Sequence, residues 1–159
     1  MKLRFFSLVL VFFCLPSFAS NGDMPKEQQL AVKYIQAFTS QDYAKLTSFY
    51  NRDSVFNDRT ANRKYTGKRH ILKFLKRAHS GVLEYSFNVE HMFNSGPLVV
   101  LIGNYRYKGP GEQFGKPGRI IDIAIPGVTT LSLDMTNNRV KEHQDLMDYQ
   151  TMSDQLSTQ

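Results

Sequence analysis

The stretch YIQAFTSQDYAKLTSFYNRDSVFNDR, residues 34–59, decides the fold class of this chain. Its first apolar side chains recur every three to four residues, a period that predicts an amphipathic helix. Asp42 is suited to cap a second, shorter helix that runs through Leu46 to Tyr50. A brief strand is then expected from Ser54 to Asp58. This part of the chain is therefore read as two helices followed by a strand.

The helical pattern extends on both sides of this stretch. Asp23 can cap the first helix, with Pro25 in its first turn. Its apolar face comprises Leu30, Ala31, Tyr34, Ile35 and Phe38. Thr66-Gly67 leads into a third helix, which is amphipathic. Its inward side chains are Ile71, Leu72, Leu75 and Ala78, and its other side carries Lys68, Arg69, Lys73, Lys76 and Arg77.

From Leu83 onward the apolar period is two, which predicts strands. The first of these strands is expected to place Leu83, Tyr85, Phe87, Val89, His91 and Phe93 on one face. A long strand follows from Leu98 to Tyr107, and a glycine-rich connection over 108–118 leads to another strand beginning at Arg119. Pro126-Gly127 is expected to interrupt that strand with a bulge or bend, since proline cannot donate to a ladder.

The last predicted strand lies in VKEHQDLMDY, residues 140–149, and is unusually polar. Alternation predicts one face with Lys141, His143, Asp145 and Met147, and an opposite face with Val140, Glu142, Gln144 and Leu146. Asp148 breaks the alternation and is expected to cap the C-terminal segment. The whole pattern predicts an α+β fold, in which three N-terminal helices pack on a strongly curved antiparallel sheet. A sheet of that shape tends to enclose a cavity for a small molecule.

The quoted stretch, the helix that starts at Gly67-Lys68 and the closing VKEHQDLMDY resemble the nuclear transport factor 2-like superfamily, particularly its SnoaL-like branch. The resemblance covers nearly all of the chain after the first 19 residues. It implies a cone of curved sheet closed by three helices, and members commonly pair through the open face of the sheet. They include ketosteroid isomerase, limonene epoxide hydrolase, polyketide cyclases and binding domains without chemistry. Fold alone therefore does not choose an activity.

Comparison with ketosteroid isomerase implies roles for two residues. Tyr34 matches its oxyanion-donating tyrosine, and Asp58 matches its general-base aspartate. A carboxylate in an apolar cavity can shuttle a proton, and a buried phenol can stabilise developing negative charge. The isomerase's second donor, a protonated aspartic acid, corresponds here to Thr129, whose hydroxyl is a weaker donor. The resemblance therefore does not imply steroid isomerisation in particular.

The resemblance also places His143 and Asp145 toward the cavity. Asp145 resembles an acid/base aspartate that SnoaL-like cyclases carry on this strand, and their chemistry needs neither a metal nor an organic cofactor. His143 can orient Asp145 or share its proton. Structural roles stay open for all four residues: a buried phenol for Tyr34, turn amides near Ala61 for Asp58, and a strand-fixing polar pair for His143 with Asp145.

The first residues, MKLRFFSLVLVFFCLPSFAS, have the layout of a secretory signal peptide cleaved after Ala19. This predicts a single SnoaL-like domain over residues 20–159 that is secreted or periplasmic and has no stable membrane anchor after cleavage. Cys14 is the only cysteine, so the mature domain has no thiol for a disulfide, a metal site or a nucleophile. Removing Lys2 and Arg4 lowers the net charge from +6 to +4, which does not favour nucleic acid as a partner.

The leading hypothesis is an exported domain with a hydrophobic pocket for a small apolar organic ligand. Cofactor-independent acid/base catalysis of the isomerase, cyclase or hydrolase kind is possible at Tyr34, Asp58, His143 and Asp145, and the residues leave open whether the domain is an enzyme. The alternative is a non-catalytic dimerisation or protein-interaction module, and a homodimer is expected in either case. A third hypothesis is that the basic third helix holds the domain to an anionic envelope. An enclosed polar-spotted cavity favours the first, a filled cone the second, and a continuous lysine-arginine patch the third.

Overall fold

The computed structural model describes residues 24–159, so the predicted signal peptide and the predicted cap Asp23 lie outside the described residues. Four helices, a 3₁₀ turn and six strands follow one another along the chain. They are α1 (Lys26–Thr39), α2 (Tyr43–Phe49), β1 (Val55–Asp58), β2 (Arg63–Thr66), α3 (Lys68–Ala78), β3 (Glu84–Ser95), β4 (Leu98–Pro110), the 3₁₀ turn (Glu112–Phe114), β5 (Ile120–Asp134), β6 (Arg139–Met147) and α4 (Tyr149–Ser157).

The six strands form one sheet in the order β2-β1-β6-β5-β4-β3. Every neighbouring pair is antiparallel except β1 and β6, which are parallel and place Asp58 level with Asp145. The α+β class and the curved sheet covered by N-terminal helices are confirmed. The short strand β2, which pairs with β1, was not predicted.

The main core lies between the first three helices and one face of the sheet. The predicted apolar face of α1 is buried throughout, from Leu30 to Phe38. Ile71 and Leu75 of α3 are also buried, whereas Leu72 and Ala78 are only half-buried. As predicted, Asp42 caps α2, where its carboxylate accepts a hydrogen bond from the backbone N–H of Lys45.

A second apolar cluster lies further along β4 and β5, where α4 covers the sheet. It contains Tyr107, Ile121, Ile123, Ile125 and Leu156, and half-buried Tyr85 and Met147 pack against both clusters. The fold therefore has a fourth helix that closes one end of the inner face. As predicted, Asp148 caps it and accepts from the backbone N–H of Thr151.

Gln155 of α4 and Gln159, which follows that helix, bind the part of β5 that has no β6 neighbour, since pairing with β6 begins only at Gly127. The Gln155 amide accepts from Ala124 N at 2.8 Å and donates to Ala124 O at 2.7 Å. The Gln159 amide bonds Asp122 in the same way, at 2.9 and 2.8 Å. These side chains satisfy the exposed backbone of the strand edge, which would otherwise be open to pairing with another chain.

A β-bulge between Val89 and His91 makes the predicted face of β3 wrong. Tyr85 and Phe87 face the core as expected, but Val89, His91 and Phe93 are exposed, along with Leu83, which precedes the strand. The extra residue reverses the alternation and turns Met92 inward instead.

A second bulge makes the predicted faces of β6 wrong at its beginning. Ser132 pairs with Glu142 and Leu133 pairs with Val140, so Lys141 is the extra residue. Val140 is therefore buried and Lys141 is exposed, whereas His143 and Asp145 face inward as predicted.

Pro126-Gly127 does not interrupt β5, which runs unbroken and in register with β4. The carbonyl of Pro126 accepts from Asp148 N at 2.9 Å, beyond the end of β6. The N and the O of one strand residue point to the same side. At Pro126 that side faces the chain beyond the end of β6, so the missing N–H of the proline costs no ladder bond. The predicted bulge is therefore wrong.

Candidate active site

A buried chain of polar side chains crosses the main core from α1 to the sheet. Tyr34 on α1 and His143 on β6 are both fully buried. The Tyr34 hydroxyl lies 2.7 Å from His143 Nδ1 and 2.5 Å from the hydroxyl of Tyr50, which directly follows α2. One phenol thus connects a second phenol to an imidazole.

The other ring nitrogen of His143 faces Asp145. Nε2 lies 2.9 Å from Asp145 Oδ2, close enough for an ion pair. The direction of the N–H bond does not meet hydrogen-bond geometry, and no other described residue supplies a partner for Nε2. The contact between Nε2 and Asp145 is therefore electrostatic.

The second oxygen of Asp145 continues the chain across the sheet. Thr129, its register partner on β5, donates to Asp145 Oδ1 at 2.5 Å. The Tyr105 hydroxyl on β4 lies 2.8 Å from the same threonine hydroxyl. The order of contacts is Tyr50, Tyr34, His143, Asp145, Thr129 and Tyr105, and these six residues are called the buried network below.

Aromatic rings enclose the middle of the buried network. The His143 ring centroid lies 4.4 Å from that of Phe56 and 5.2 Å from that of Phe38. Two recesses in the surface of the described part of the chain have volumes of about 670 and 570 Å³. Among the members of the buried network, only Tyr50 lines either of them. Neither of these two recesses is lined by His143 or Asp145.

The structure brings three of the four predicted residues together and holds the fourth beside them. Tyr34, His143 and Asp145 contact one another in sequence, whereas Asp58 makes separate bonds. Asp58 Oδ1 accepts from Ala61 N at 2.8 Å, the turn-amide role that was left open, and Oδ2 accepts from the Tyr149 hydroxyl at 2.5 Å. Asp58 and Asp145 nevertheless lie level with each other on the paired strands β1 and β6.

Tyr149, the first residue of α4, bonds Asp58, which is level with Asp145. Both carboxylates therefore lie near the end of the sheet that α4 covers. Burial, the hydrogen bond to Asp58 and the charges of Asp58 and Asp145 raise the pKa of Tyr149. Asp145 is thus within electrostatic reach of the Tyr149 phenol. The Asp145 side chain also keeps 10% of its surface exposed, whereas the His143 side chain has no exposed surface. Asp145 is therefore more exposed than His143.

Burial raises the pKa of the three other phenols of the site, those of Tyr34, Tyr50 and Tyr105. For Tyr34 the neighbouring Tyr50 hydroxyl and the charge of Asp145 add to this effect. Desolvation disfavours the phenolate, and a nearby carboxylate disfavours it further. All three phenols are consequently protonated at neutral pH and can donate hydrogen bonds.

Sequence reasoning missed three members of the buried network as site residues. Tyr50 was read only as the end of the second helix, and Tyr105 only as part of a long strand. Thr129 was noted only as the counterpart of the isomerase's protonated aspartic acid, and in this structure its hydroxyl donates to Asp145. Tyr105 had a usable signal, since it shares the inward alternation of Leu101 and Tyr107 along β4.

A second buried histidine lies outside the network. His79 follows α3, and its Nδ1 lies 3.1 Å from the Tyr43 hydroxyl. Burial lowers its pKa to about 4, so its ring is neutral at pH 7. It packs edge-on against Phe38 and is part of the core.

Over residues 24–159, no group of three or more His, Cys, Asp and Glu side chains is arranged to hold a metal ion. None of the helices in that range is long and apolar enough to cross a membrane.

Residues 31–143 match the family model described as the SnoaL-like domain. The chain belongs to the SnoaL-like family. A crystal structure from Shewanella putrefaciens CN-32, provisionally named a SnoaL-like polyketide cyclase, is 71% identical with a TM-score of 0.85, and covers 86% of this chain and 100% of that one. One of the same provisional name from Shewanella denitrificans OS-217 is 66% identical with a TM-score of 0.84 and has the same coverage.

A more distant structure shares the fold alone. A hypothetical protein from Catenulispora acidiphila DSM 44928, with a ketosteroid isomerase-like fold and in complex with trimethylamine, is 16% identical with a TM-score of 0.64. The comparison covers 80% of this chain and 91% of that one. Among curated proteins, no match to this chain is found. The nuclear transport factor 2-like cone fold expected from the sequence is confirmed.

Proposed function

We propose that this domain binds a small, largely apolar organic ligand at the α4-covered end of the cone and performs acid/base chemistry on it with Asp145 and Asp58. The buried network is the observation that carries the proposal. Buried polar groups are costly unless they are paired, and they concentrate at functional sites. Here six polar side chains join into one chain through an otherwise aromatic core, with a carboxylate among them that contacts both His143 and Thr129.

The network explains how Asp145 would be kept in position as a base. One of its oxygens is fixed by Thr129 and the other faces His143, whose ring is held in turn by Tyr34. The Tyr34 hydroxyl already has two partners, so we assign Tyr34 and His143 as positioning residues that act through Asp145. This differs from the isomerase-like expectation, in which Tyr34 itself stabilises an oxyanion.

The reaction class that fits is proton transfer at a carbon next to a carbonyl group. A carboxylate would take the proton, the carbonyl oxygen would gain the negative charge, and the proton would return at another atom. Return to a different carbon is an isomerisation, and attack of the enolate on a second carbonyl of the same molecule is a cyclisation. The provisional name of the two Shewanella relatives, SnoaL-like polyketide cyclase, supports a substrate with several carbonyl groups.

Access to the carboxylates requires that α4 move. The side chain of Leu156 is buried in the second apolar cluster and Tyr149 bonds Asp58, so α4 covers the approach. Displacing it would open an inner face lined by Ile121, Ile123 and Ile125 next to the carboxylates. Such a chamber suits an apolar ligand.

Exchange of carbon-bound hydrogen for deuterium tests this proposal without knowledge of the natural substrate. A panel of apolar 1,3-dicarbonyl compounds would be followed by NMR in D₂O with dialysed, EDTA-treated protein. We expect the wild type to accelerate exchange, and Asp145→Asn and Asp58→Asn to lower the rate by about a hundredfold or more. Asp154→Asn, at an exposed position on α4, is the matched control and should retain the rate. Exchange no faster than in buffer, or equal rates for wild type and Asp145→Asn, would contradict the proposal.

A second candidate function is a dimerisation module, and the exposed face of the sheet favours it. His91, Ile102, Val128 and Leu146 are successive register partners across β3, β4, β5 and β6. Exposed Phe93 pairs with Val100 in the next row. Apart from His91 these residues are apolar, they are adjacent on the outer face, and we propose a homodimer through this patch. This function and the catalytic one are compatible.

Export is part of the proposal. The signal-peptide pattern of residues 1–19 supports secretion or transfer to the periplasm, with a mature N-terminus at Ser20.

A further inference from the structure

We propose that a second site, on the outside of the cone, binds a phosphate- or sulfate-type oxyanion. It is the recess of about 670 Å³ formed by residues 50–53, residues 66–70 and Arg139, called the basic recess below. Asp145 and Asp58 lie at the C-terminal ends of β6 and β1, whereas the basic recess lies where both strands begin. It is thus separate from the proposed catalytic carboxylates.

Positive charge dominates the lining of the basic recess. Arg52, Lys68, Arg69 and Arg139 contribute four cations, and Asp53 is the only carboxylate. Asp53 is paired with the neighbouring Arg52 at 3.3 Å. Within the described part of the chain, Lys68, Arg69 and Arg139 form no ion pair. Three cations of the described residues therefore line the recess without an ion-pair partner among those residues.

The position of these cations is electrostatically unfavourable without a bound anion. Lys68 and Arg69 lie in the first turn of α3, where the helix dipole is positive, and that turn has no acidic residue. Basic side chains at a helix N-terminus oppose the dipole, and like charges close together repel each other. An anion in the recess would remove both penalties.

The walls of the recess are joined by hydrogen bonds, which gives the cations a defined frame. Lys68 N donates to Asn51 O at 2.8 Å, and Gly67 N donates to Ser54 O at 2.8 Å. The Ser54 hydroxyl donates to Val140 O at 2.8 Å, which ties the same loop to the start of β6. Because these bonds use the first N–H groups of α3, the charged side chains, rather than the helix end, would hold the ligand.

Close packing of the backbone supports the same frame. Gly67 has φ +86°, and a Cβ there would meet Arg52 O at 3.0 Å. Glycine thus allows the Arg52 loop to lie directly against the start of α3. The Arg52 and Arg69 segments are therefore held side by side.

The chemistry of the lining selects the class of ligand. Guanidinium groups bind phosphate and sulfate oxygens in a bidentate manner, and an ammonium adds a point charge. The volume exceeds that of one inorganic phosphate, so we assign the site to a phosphate or sulfate monoester with a small organic group. The ester could be free in solution or the headgroup of an anionic lipid.

Calorimetric titration with phenyl phosphate tests the assignment, with an Arg69→Gln/Arg139→Gln double variant. Lys73→Gln/Arg77→Gln is the matched control, because it removes the same charge from exposed positions of α3 outside the recess. We expect saturable one-to-one binding by the wild type, at least tenfold weaker binding by the recess variant, and less than a twofold change in the control. Equal weakening of both variants, or no saturable binding by the wild type up to 10 mM (on the order of the weakest specific affinities), would overturn the proposal.

Vesicle flotation distinguishes the two sources of the ester. Vesicles of phosphatidylglycerol and phosphatidylcholine would be mixed with the wild type and both double variants. Flotation lost only in the recess variant supports a lipid headgroup as ligand, and phenyl phosphate binding without flotation supports a free ester. Flotation lost only in the Lys73→Gln/Arg77→Gln variant, with unchanged phenyl phosphate affinity in the recess variant, would overturn the site. Circular dichroism of each variant confirms that the fold is retained.

Discussion

Tyr34→Phe removes one oxygen atom from the middle of the buried network and leaves the ring in place. The hydroxyl makes two contacts, with Tyr50 at 2.5 Å and with His143 Nδ1 at 2.7 Å. Both partners are buried, so water does not replace the lost hydroxyl. The ring keeps its stacking with Phe38 and its edge contact with Phe49, and apolar packing is therefore almost unchanged.

The expected loss follows from the number of broken bonds. Each hydrogen bond contributes about 0.5–1.5 kcal/mol net, and a buried partner left unsatisfied costs about 1–3 kcal/mol. For two contacts, of which Tyr50 can turn and the imidazole cannot, we expect the free energy of unfolding to fall by about 2–4 kcal/mol. Tyr105→Phe is the matched control, since it breaks one contact and leaves Thr129 bonded to Asp145. Its cost should be about 1 kcal/mol.

Urea unfolding followed by far-ultraviolet circular dichroism measures both losses. The m-value should be the same in wild type and variants, because neither substitution changes the surface exposed on unfolding. A Tyr34→Phe cost no greater than that of Tyr105→Phe would refute the reasoning. It would mean that the Tyr34 hydroxyl does not connect Tyr50 to His143.

Four further predictions concern other parts of the molecule. Burial lowers the pKa of His79 to about 4 from 6.5, so its contribution to stability is complete above pH 6.5 and is lost as the pH falls toward 4. Between pH 7 and pH 5 the free energy of unfolding of the wild type should therefore fall by about 2 kcal/mol, and that of His79→Gln should not. Urea unfolding at both pH values measures the difference. Ile102→Asp on the outer face should convert the proposed homodimer to a monomer in light scattering, and a monomeric wild type at tens of micromolar would count against that interface. Gln155→Ala with Gln159→Ala should speed amide exchange in α4 roughly 30-fold, corresponding to about 2 kcal/mol of lost bonds, while α1 is unaffected. Mass spectrometry of the protein from its host should find Ser20 at the N-terminus, and intact Met1 in the soluble fraction would contradict export.

Much of the fold could be predicted because its signals are local. The face of α1 from Leu30 to Phe38 and the caps Asp42 and Asp148 depend on spacing within one or two turns. Such spacing is readable in a single sequence. Alternation likewise predicted that His143 and Asp145 share one face of the strand, and the family resemblance implied that this face is the inner one.

The errors arise where distant segments decide the outcome. The bulges at Glu90 and Lys141 exist because strand pairing shifts by one residue, which no local pattern of β3 or β6 reports. Pro126 was expected to break β5, but β6 ends before it would need the proline's N–H. Whether a proline disrupts a strand depends on which neighbour is present.

The buried network was predictable only in part, because its members come from four elements and one connection. Tyr34, His143 and Asp145 were identified, but Tyr50 joins them only through tertiary packing, and Tyr105 only because β4 pairs with β5 and so meets Thr129. Asp58 was expected to join the same cluster. The turn amide of Ala61 and the Tyr149 hydroxyl of α4, an element without a strong sequence signal, bind it instead.

The central claim is that Tyr34 and His143 hold Asp145 in position through the buried network, and ¹⁵N NMR of the His143 ring tests it most directly. Because the phenols are protonated, Tyr34 can donate to Nδ1, and the remaining ring proton then lies on Nε2, facing Asp145. We expect one fixed tautomer, in which Nδ1 accepts from Tyr34 and the proton on Nε2 exchanges slowly with solvent. Asp145→Asn should shift the Nε2 resonance and leave Nδ1 bonded to Tyr34. Ring nitrogens that average between tautomers, or that do not respond to Asp145→Asn, would contradict it.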